Sequence, residues 1–164
     1  MDWKKNDVFQ VQIEDMSDTG EGIGKTDGFT WFVKDAVIGD VVEARVMKTK
    51  KSYGFARLMQ VLEPSACRVT PRCPSARQCG GCQLQAMSYE EQLRFKENKV
   101  RNNLSRIGGL TEIPMEPIIG MDEPWRYRNK AQFPFGKDKD GRIITGFYAG
   151  RTHTIIENRD CALG

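Results

Sequence analysis

Four cysteines are the residues of this chain best suited to metal chemistry. Cys73, Cys79 and Cys82 form a C-x5-C-x2-C run, and Cys161 stands alone far along the sequence. Three thiolates so close together can supply three corners of one metal centre, and Cys161 can supply the fourth if the chain folds back. We interpret the set as a cysteine-ligated iron–sulfur site.

Other kinds of cysteine chemistry stay open. Zinc usually takes two C-x2–4-C pairs, and only Cys79 and Cys82 form one here. A thioredoxin-like redox pair at the same two cysteines would require a βαβ context that the sequence does not show. Buried structural thiols would not need the intervening Gly80-Gly81, which let backbone amides point at the sulfurs. Cys67 is the spare thiol, able to replace Cys161.

Length and composition indicate a globular chain. The 164 residues suffice for one ordinary domain or two small ones. No apolar run approaches the roughly 20 residues of a membrane-spanning helix, and residues 1–7 lack the apolar segment of a secretory signal. Five cysteines is an odd number, which weakens a disulfide framework. We therefore expect a cytoplasmic protein with reduced thiols and no membrane contact.

Charge is unevenly distributed along the chain. Residues 1–43 carry ten acidic and four basic side chains, whereas the remaining residues carry 12 acidic and 21 basic ones. A local basic excess is a candidate footprint for a polyanion such as nucleic acid. Ordinary surface lysines explain the excess equally well.

Residues 1–64 read as a small β-barrel. Alternating apolar residues predict strands, and a glycine-dense turn is expected over residues 19–24. Short, evenly spaced strands with glycines between them are typical of OB-like or SH3-like barrels. The predicted strands are Val8–Glu14, Phe29–Val33, Val41–Met47 and Gly54–Leu62.

Residues 65–164 read as a second region with one long helix. Ser88 and Glu91 form a capping box at its start, and Gly108-Gly109 supplies its end. The alternation over residues 127–135 and the apolar run Ile143–Tyr148 predict strands. The fold class is therefore mainly β with one long helix (α+β). The only histidine, His153, has no visible partner and is expected to be a surface or packing residue.

The order of these motifs resembles the RNA (uracil-5-)-methyltransferases of bacteria. The likeness begins in the cysteine run and in Gln83-Leu84-Gln85, and it continues through Tyr127-Arg-Asn-Lys130 to Asp160-Cys161-Ala-Leu. The β-rich start, with Gly20, Gly22 and Gly24, is similar to the TRAM domain that opens many of these enzymes. The resemblance covers essentially the whole sequence.

The resemblance implies a fold and a set of ligands. It implies an OB-like TRAM barrel over residues 1–64 and a cluster-binding, β-rich central region over residues 65–164, both gripping RNA that is usually ribosomal, here 23S rRNA. It also implies a [4Fe–4S] cluster on Cys73, Cys79, Cys82 and Cys161. Catalysis in the family belongs to a third domain that binds S-adenosylmethionine and transfers a methyl group to C5 of uracil.

No catalytic or S-adenosylmethionine-binding residue is recognised in these 164 residues. We therefore expect the N-terminal portion of such an enzyme, monomeric and inactive alone. The alternative is a standalone TRAM-type RNA-binding protein or RNA chaperone with a structural metal.

Two groups of residues are candidate RNA contacts. Cations beside aromatic rings are what OB-type barrels use on single strands, and the first group is Lys48, Lys50, Lys51 and Tyr53. The second group is the polar face of the strand predicted from Tyr127 onward, and it comprises Arg126, Arg128, Lys130 and Gln132. These residues lie in a motif that resembles the RNA-facing region of the family. A solvated protein surface is the alternative for both groups.

Overall fold

The computed structural model describes residues 3–164, within which the chain forms eight strands and one helix. No helix in this range is long and apolar enough to cross a lipid bilayer. The elements are β1 (Val8–Met16), β2 (Gly22–Thr26), β3 (Phe29–Lys34), β4 (Val41–Thr49), β5 (Tyr53–Glu63), α1 (Tyr89–Arg106), β6 (Phe135–Lys137), β7 (Ile143–Tyr148) and β8 (Ile155–Glu157).

The chain divides into two compact units. The first unit comprises the described residues up to Val69 together with Ala86–Ile118, and the second comprises Thr70–Gln85 together with Ile119–Gly164. This division differs from the expected boundary at residue 64, because α1 groups with the barrel instead of with the cysteine run.

The first five strands close into a barrel in the order β1-β2-β3-β5-β4. β3 and β5 run parallel, with Phe32 opposite Phe55, and β1 pairs antiparallel with β4, with Val11 opposite Val42. This is the five-stranded barrel of OB type. The predicted OB-like barrel is confirmed, and its four predicted strands extend one or two residues beyond the expected ends.

Alternating side chains of the strands fill the barrel. In β1, Phe9, Val11 and Ile13 are buried while the residues between them are exposed, as the two-residue period of a half-buried strand requires. Trp31 at the centre is fully buried, and its ring lies 4.4 Å from that of Phe9 and 4.9 Å from that of Phe29 between centroids. The barrel therefore has one continuous apolar core.

Strand β2 shows that the expected turn over residues 19–24 is only partly correct. Gly20 has a φ of +86° and does turn the chain. Gly22 and Gly24 lie in the strand, where a β-carbon on Gly22 would come within 2.8 Å of the Ile13 side chain and one on Gly24 would collide with the Gln12 carbonyl. These two glycines permit close strand approach, so the turn prediction was wrong for them.

Helix α1 begins and ends where the sequence predicts. Ser88 Oγ accepts a hydrogen bond from the Glu91 amide at 3.4 Å, and Gly109 ends the helix with a φ of +68°. Only half of the expected capping box forms. The Ser88 amide donates to the Cys67 carbonyl at 2.8 Å, and the Glu91 carboxylate accepts from Arg94 at 2.6 Å.

A buried ion pair joins the barrel to the segment that follows it. The fully buried Asp40 carboxylate accepts from Arg68 Nε at 2.9 Å and from Arg68 Nη2 at 2.6 Å. It also accepts from the amides of Val37 at 2.7 Å and Ser65 at 3.0 Å. These charge-assisted bonds compensate the burial of the carboxylate.

The second unit contains a three-stranded antiparallel sheet in the order β6-β7-β8. The strand predicted over residues 127–135 is wrong, because regular pairing begins only at Phe135. The preceding segment instead runs beside the last residues of the chain. The amides of Arg126 and Arg128 donate to the carbonyls of Ala162 at 3.0 Å and Leu163 at 2.8 Å.

Candidate functional site

The four cysteines of the predicted metal site line one cavity of about 50 Å³ in the second unit. Cys73 and Cys79 are buried, and Cys82 and Cys161 are partly buried. The structure therefore brings Cys161 back to the C-x5-C-x2-C run, as the sequence analysis expected. Their role as metal ligands stays a prediction.

The four thiols surround the cavity without meeting at one point. Within residues 3–164, no group of three or more histidine, cysteine or acidic side chains converges closely enough to hold a single metal ion. The cavity wall also contains Ala76, Gly81, Gln85, Arg128, Phe147, Asn158, Ala162 and Leu163. The wall is therefore a mixture of thiols, apolar groups, two amides and one cation.

Successive turns hold the cysteine run in place. The Ala76 amide donates to the Cys73 carbonyl at 3.1 Å, and the Gly81 amide points at Cys79 Sγ at 3.4 Å. The Gly80 amide donates instead to the Tyr148 carbonyl at 2.9 Å. A β-carbon on Gly80 would lie 2.8 Å from that carbonyl oxygen. Of the two glycines expected to direct amides at sulfur, Gly81 does so, whereas Gly80 permits close backbone approach.

Arg126 holds the loop that carries Cys161. Its Nη1 donates to the Cys161 carbonyl at 3.0 Å and to the Gly164 carbonyl at 3.4 Å, and its Nη2 donates to Asp160 at 3.0 Å. Hydrogen bonding and the charge of Arg126 hold the pKa of the Asp160 carboxyl below its usual range. The guanidinium thus connects three residues of this loop.

The electrostatic setting of the cavity suits a bound cation or a cluster. Burial raises the pKa of the Cys82 thiol, a hydrogen bond with Gln85 opposes that rise, and the charges of Cys79, Cys161 and Cys73 raise it further. Burial and the neighbouring thiols thus disfavour the thiolate form of Cys82. A positively charged group in the cavity would offset that penalty.

Two further candidates from the sequence lie away from this cavity. Cys67 belongs to the first unit, and its sulfur lies 3.2 Å from Ser65 Oγ and 3.6 Å from the Ile38 carbonyl. His153 is exposed, and its ring meets that of Tyr148 edge-on at 5.5 Å. Cys67 is not among the cavity-lining residues and so does not replace Cys161.

The first group of predicted RNA contacts lies on the surface of the barrel. Lys48 is an exposed residue of β4, Lys50 and Lys51 lie in the turn that follows, and Tyr53 begins β5. The turn is closed by the Lys50 amide donating to the Tyr53 carbonyl at 2.7 Å. Sequence reasoning missed Phe32, whose ring contacts Tyr53 edge-on at 5.7 Å. Only the barrel register reveals that pairing.

The second predicted group is divided by the structure. Arg126 is held by the Cys161 loop, and Arg128 lines the cysteine cavity. Lys130 and Gln132 are exposed on the segment between them and β6. RNA contact by these four residues stays a prediction.

Comparison with known proteins begins with the barrel. Residues 2–59 match the family model of the TRAM domain. Over 97% of its length the chain is 49% identical to an uncharacterized RNA methyltransferase of Halalkalibacterium halodurans. Over 96% of its length it is 48% identical to an uncharacterized RNA methyltransferase of Clostridium tetani. The chain spans about a third of the length of these relatives, 34% in each case.

A solved structure shows the same relationship. The tRNA (uracil-54, C5)-methyltransferase of Pyrococcus abyssi, in complex with S-adenosyl-L-homocysteine, is 25% identical and has a TM-score of 0.55. The match covers 93% of this chain and 32% of that one. Residues 2–59 of the chain thus match the TRAM domain, and nearly its whole length is similar to proteins named RNA methyltransferases.

Proposed function

We propose that this chain is the RNA-binding and [4Fe–4S]-binding portion of an S-adenosylmethionine-dependent RNA uracil-C5 methyltransferase. One observation carries the proposal: four cysteines from two distant segments line one cavity in a relative of RNA methyltransferases. The proposed target is 23S rRNA, and the proposed setting is a monomer in the cytoplasm.

The arrangement of the four cysteines in the sequence favours a cluster over a single zinc ion. Zinc sites usually take two C-x2–4-C pairs, and only Cys79 and Cys82 form one here. Three cysteines in one run and a fourth from a distant segment line the same cavity, and four cysteine thiolates are the ligands of a [4Fe–4S] cluster.

Donors around the cavity also suit a cluster of net negative charge. The Gly81 amide points at Cys79 Sγ, and Asn158 Nδ2 lies 3.8 Å from Cys73 Sγ. Arg128 adds a positive charge to the wall. Such hydrogen bonds and charges tune iron–sulfur centres. When bound, the cluster would supply a cross-link between residues 73–82 and the Cys161 loop.

The proposal assigns methyl transfer to a separate domain of the whole enzyme. The Pyrococcus abyssi neighbour is named a uracil C5 methyltransferase and was solved with S-adenosyl-L-homocysteine. We assign neither cofactor binding nor nucleophilic attack to any residue of this chain. We therefore expect no methyl transfer to RNA when the chain is supplied with S-adenosylmethionine alone, in an assay of labelled methyl incorporation.

Metal analysis of protein purified without oxygen tests the cluster. We expect about four iron and four acid-labile sulfide per chain, with the brown colour of a [4Fe–4S] protein. A colourless protein with one zinc per chain would overturn the cluster. If that protein still bound RNA, the alternative of an RNA-binding protein or chaperone with a structural metal would replace the proposal.

The turn between β4 and β5 tests the RNA contact. Lys51 is exposed in that turn, so Lys51→Ala should lose one phosphate contact and lower the slope of log affinity against log salt by about 0.7 for single-stranded RNA. Fluorescence anisotropy over a range of salt concentrations measures the slope. Lys139→Ala, an exposed lysine of the second unit, is the matched control and should leave the slope unchanged. An unchanged slope in Lys51→Ala would remove this residue from the proposed contacts.

A further inference from the structure

Three aromatic rings form a cluster on the outer face of the barrel. Phe32 of β3 lies 5.7 Å from Tyr53 and 5.5 Å from Phe55 between ring centroids, and Tyr53 and Phe55 lie 5.7 Å apart. Tyr53 is exposed, and the other two are partly exposed. We call these three residues the aromatic face. Single exposed rings are ordinary on protein surfaces, but three in mutual contact are a feature that needs an explanation.

The register of the barrel forces the three rings outward. In the parallel pair of β3 and β5, Trp31 lies opposite Gly54 and Phe32 lies opposite Phe55. Trp31 and Gly54 are buried, and a β-carbon on Gly54 would come within 2.8 Å of the Trp31 ring atom Cε3. Because side chains alternate along a strand, the residues that flank this buried pair must face out.

Cations surround the aromatic face. Lys48 of β4 lies opposite Phe55, and Arg57 of β5 lies opposite Arg45. Lys25 of β2 is exposed one strand away. Within residues 3–164, Arg45, Lys48 and Arg57 form no ion pair with an acidic side chain. The rings are therefore rimmed by positive charge that the described chain does not neutralise.

We propose that the aromatic face stacks unpaired bases, so that the barrel selects single-stranded RNA over duplex RNA. The choice of RNA rests on the proposed function. Tyr53 and Phe55 are two residues apart on one strand, roughly 7 Å, and lie beside cations placed to neutralise phosphates. Aromatic rings within a basic groove are the means by which OB folds bind single strands without strong sequence preference.

Charge favours RNA over a protein partner as the occupant of this face. The border of this face on β4 and β5 carries charge of one sign, from Arg45, Lys48 and Arg57, and a polyanion is the partner that neutralises such a border. A duplex buries the faces of its bases in the stack, so only an unpaired strand can present them to Phe32, Tyr53 and Phe55. The geometry and the charge thus point to the same ligand.

Equilibrium binding of a labelled RNA tests the proposal. The probe is a fluorescein-labelled oligoribonucleotide of about ten nucleotides, within the site size of one OB fold, used alone and annealed to its complement. Tyr53→Leu keeps an apolar side chain and removes the ring, so single-strand affinity should fall about 5- to 100-fold. Duplex affinity and the salt slope of single-strand binding should stay unchanged, because no phosphate contact is lost.

Two further variants control for general damage. Tyr53→Phe keeps the ring and should bind the single strand as the wild type does. Phe135→Leu removes a ring that is 76% exposed in the second unit, and it should also leave binding unchanged. Circular dichroism melting of each variant confirms that the barrel remains folded.

Two results would overturn the aromatic face as a base platform. One is wild-type affinity of Tyr53→Leu for the single strand, and the other is an equal loss of affinity for the duplex. If the first came with a loss of self-association in sedimentation, the face would be a contact between protein chains. None of these depends on iron content or methyl transfer, so the failure of this inference is distinguishable from the failure of the proposed function.

Discussion

Asp40 is the residue whose replacement should most destabilise the first unit. Asp40→Ala leaves the amides of Val37 and Ser65 without their side-chain acceptor. The Arg68 guanidinium, only 18% exposed, loses its carboxylate partner and keeps the Asp35 carbonyl. Removing one partner of a buried pair costs about 3–5 kcal/mol of unfolding free energy. Urea denaturation followed by circular dichroism measures the change.

Glu157→Ala is the control, because it breaks an exposed ion pair with Arg159 and should change the free energy of unfolding little. A similar small change in Asp40→Ala would show that water replaces the carboxylate.

Residue types and local spacing predict some of these groups but not others. The four-cysteine site was recognisable because three of its thiols lie within one short segment, and Cys161 was added because three thiolates leave a corner open. The pairing of Asp40 with Arg68 was not predicted, since 28 residues separate them and only the fold aligns them. Phe32 was missed for the same reason. Its ring neighbours belong to β5, which is adjacent only because β3 and β5 pair in parallel.

At the scale of elements, Ser88 should contribute measurably to helix α1. Its hydroxyl satisfies one amide of the first helical turn, and loss of such a cap costs about 1 kcal/mol. Ser88→Ala should therefore lower the thermal midpoint of the first unit, which calorimetry measures. Ser105→Ala, in the last turn of the same helix, is the matched control and should be neutral or slightly stabilising. Equal effects of the two substitutions would mean that the cap is redundant.

The hairpin between β6 and β7 should lose stability in acid. Partial desolvation acts to raise the pKa of Asp138, but hydrogen bonds from the Arg142 amide, the Arg142 guanidinium and the Asp140 amide lower it overall. A lowered pKa in the folded state means that the stabilisation is complete above the unfolded value near 4 and is lost as pH falls through the folded value. Amide hydrogen exchange at Asp140 and Arg142 should therefore quicken in that range. In Asp138→Asn the same exchange should show no such acid step, and an identical step would assign it to another group.

Two errors in the predicted elements have physical causes. Gly22 and Gly24 signalled a turn, but in β2 they make room for the neighbouring strand β1. The alternation over residues 127–135 signalled a strand, yet regular pairing begins only at Phe135. Before it, the amides of Arg126 and Arg128 donate to the carbonyls of Ala162 and Leu163. A glycine can mark a turn or a close approach of two strands, and alternating apolar residues can occur in a strand or in an irregular segment. Only the residues packed against the segment decide which structure forms. The remaining barrel strands and α1 were predictable because local pattern and tertiary packing agree there.

At the scale of the whole chain, the two units are built on different principles. The first unit holds a core around Trp31, whereas the buried apolar side chains described in the second unit are Cys73, Cys79 and Ala162. A unit with so small an apolar core needs another source of stability, such as a metal centre. The sequence could not reveal this contrast, because its apolar residues are spread over both regions while their burial is not.

The second unit should therefore depend on the proposed cluster for stability, and the barrel should not. Cys79→Ser removes one of the proposed ligands, so it should abolish iron retention and greatly quicken hydrogen exchange in peptides of Thr70–Gln85 and Ile119–Gly164. Exchange in the barrel strands should stay unchanged, because their core is independent of these thiols. Hydrogen exchange with mass spectrometry, on protein kept free of oxygen, resolves the two units in one experiment.

Cys67→Ser is the matched control, since Cys67 belongs to the first unit and lies outside the cavity wall. This variant should keep both the iron and the slow exchange of the second unit. Full iron content in Cys79→Ser would contradict the ligand assignment. Slow exchange of the second unit after iron loss would instead show that its few buried groups suffice to hold it.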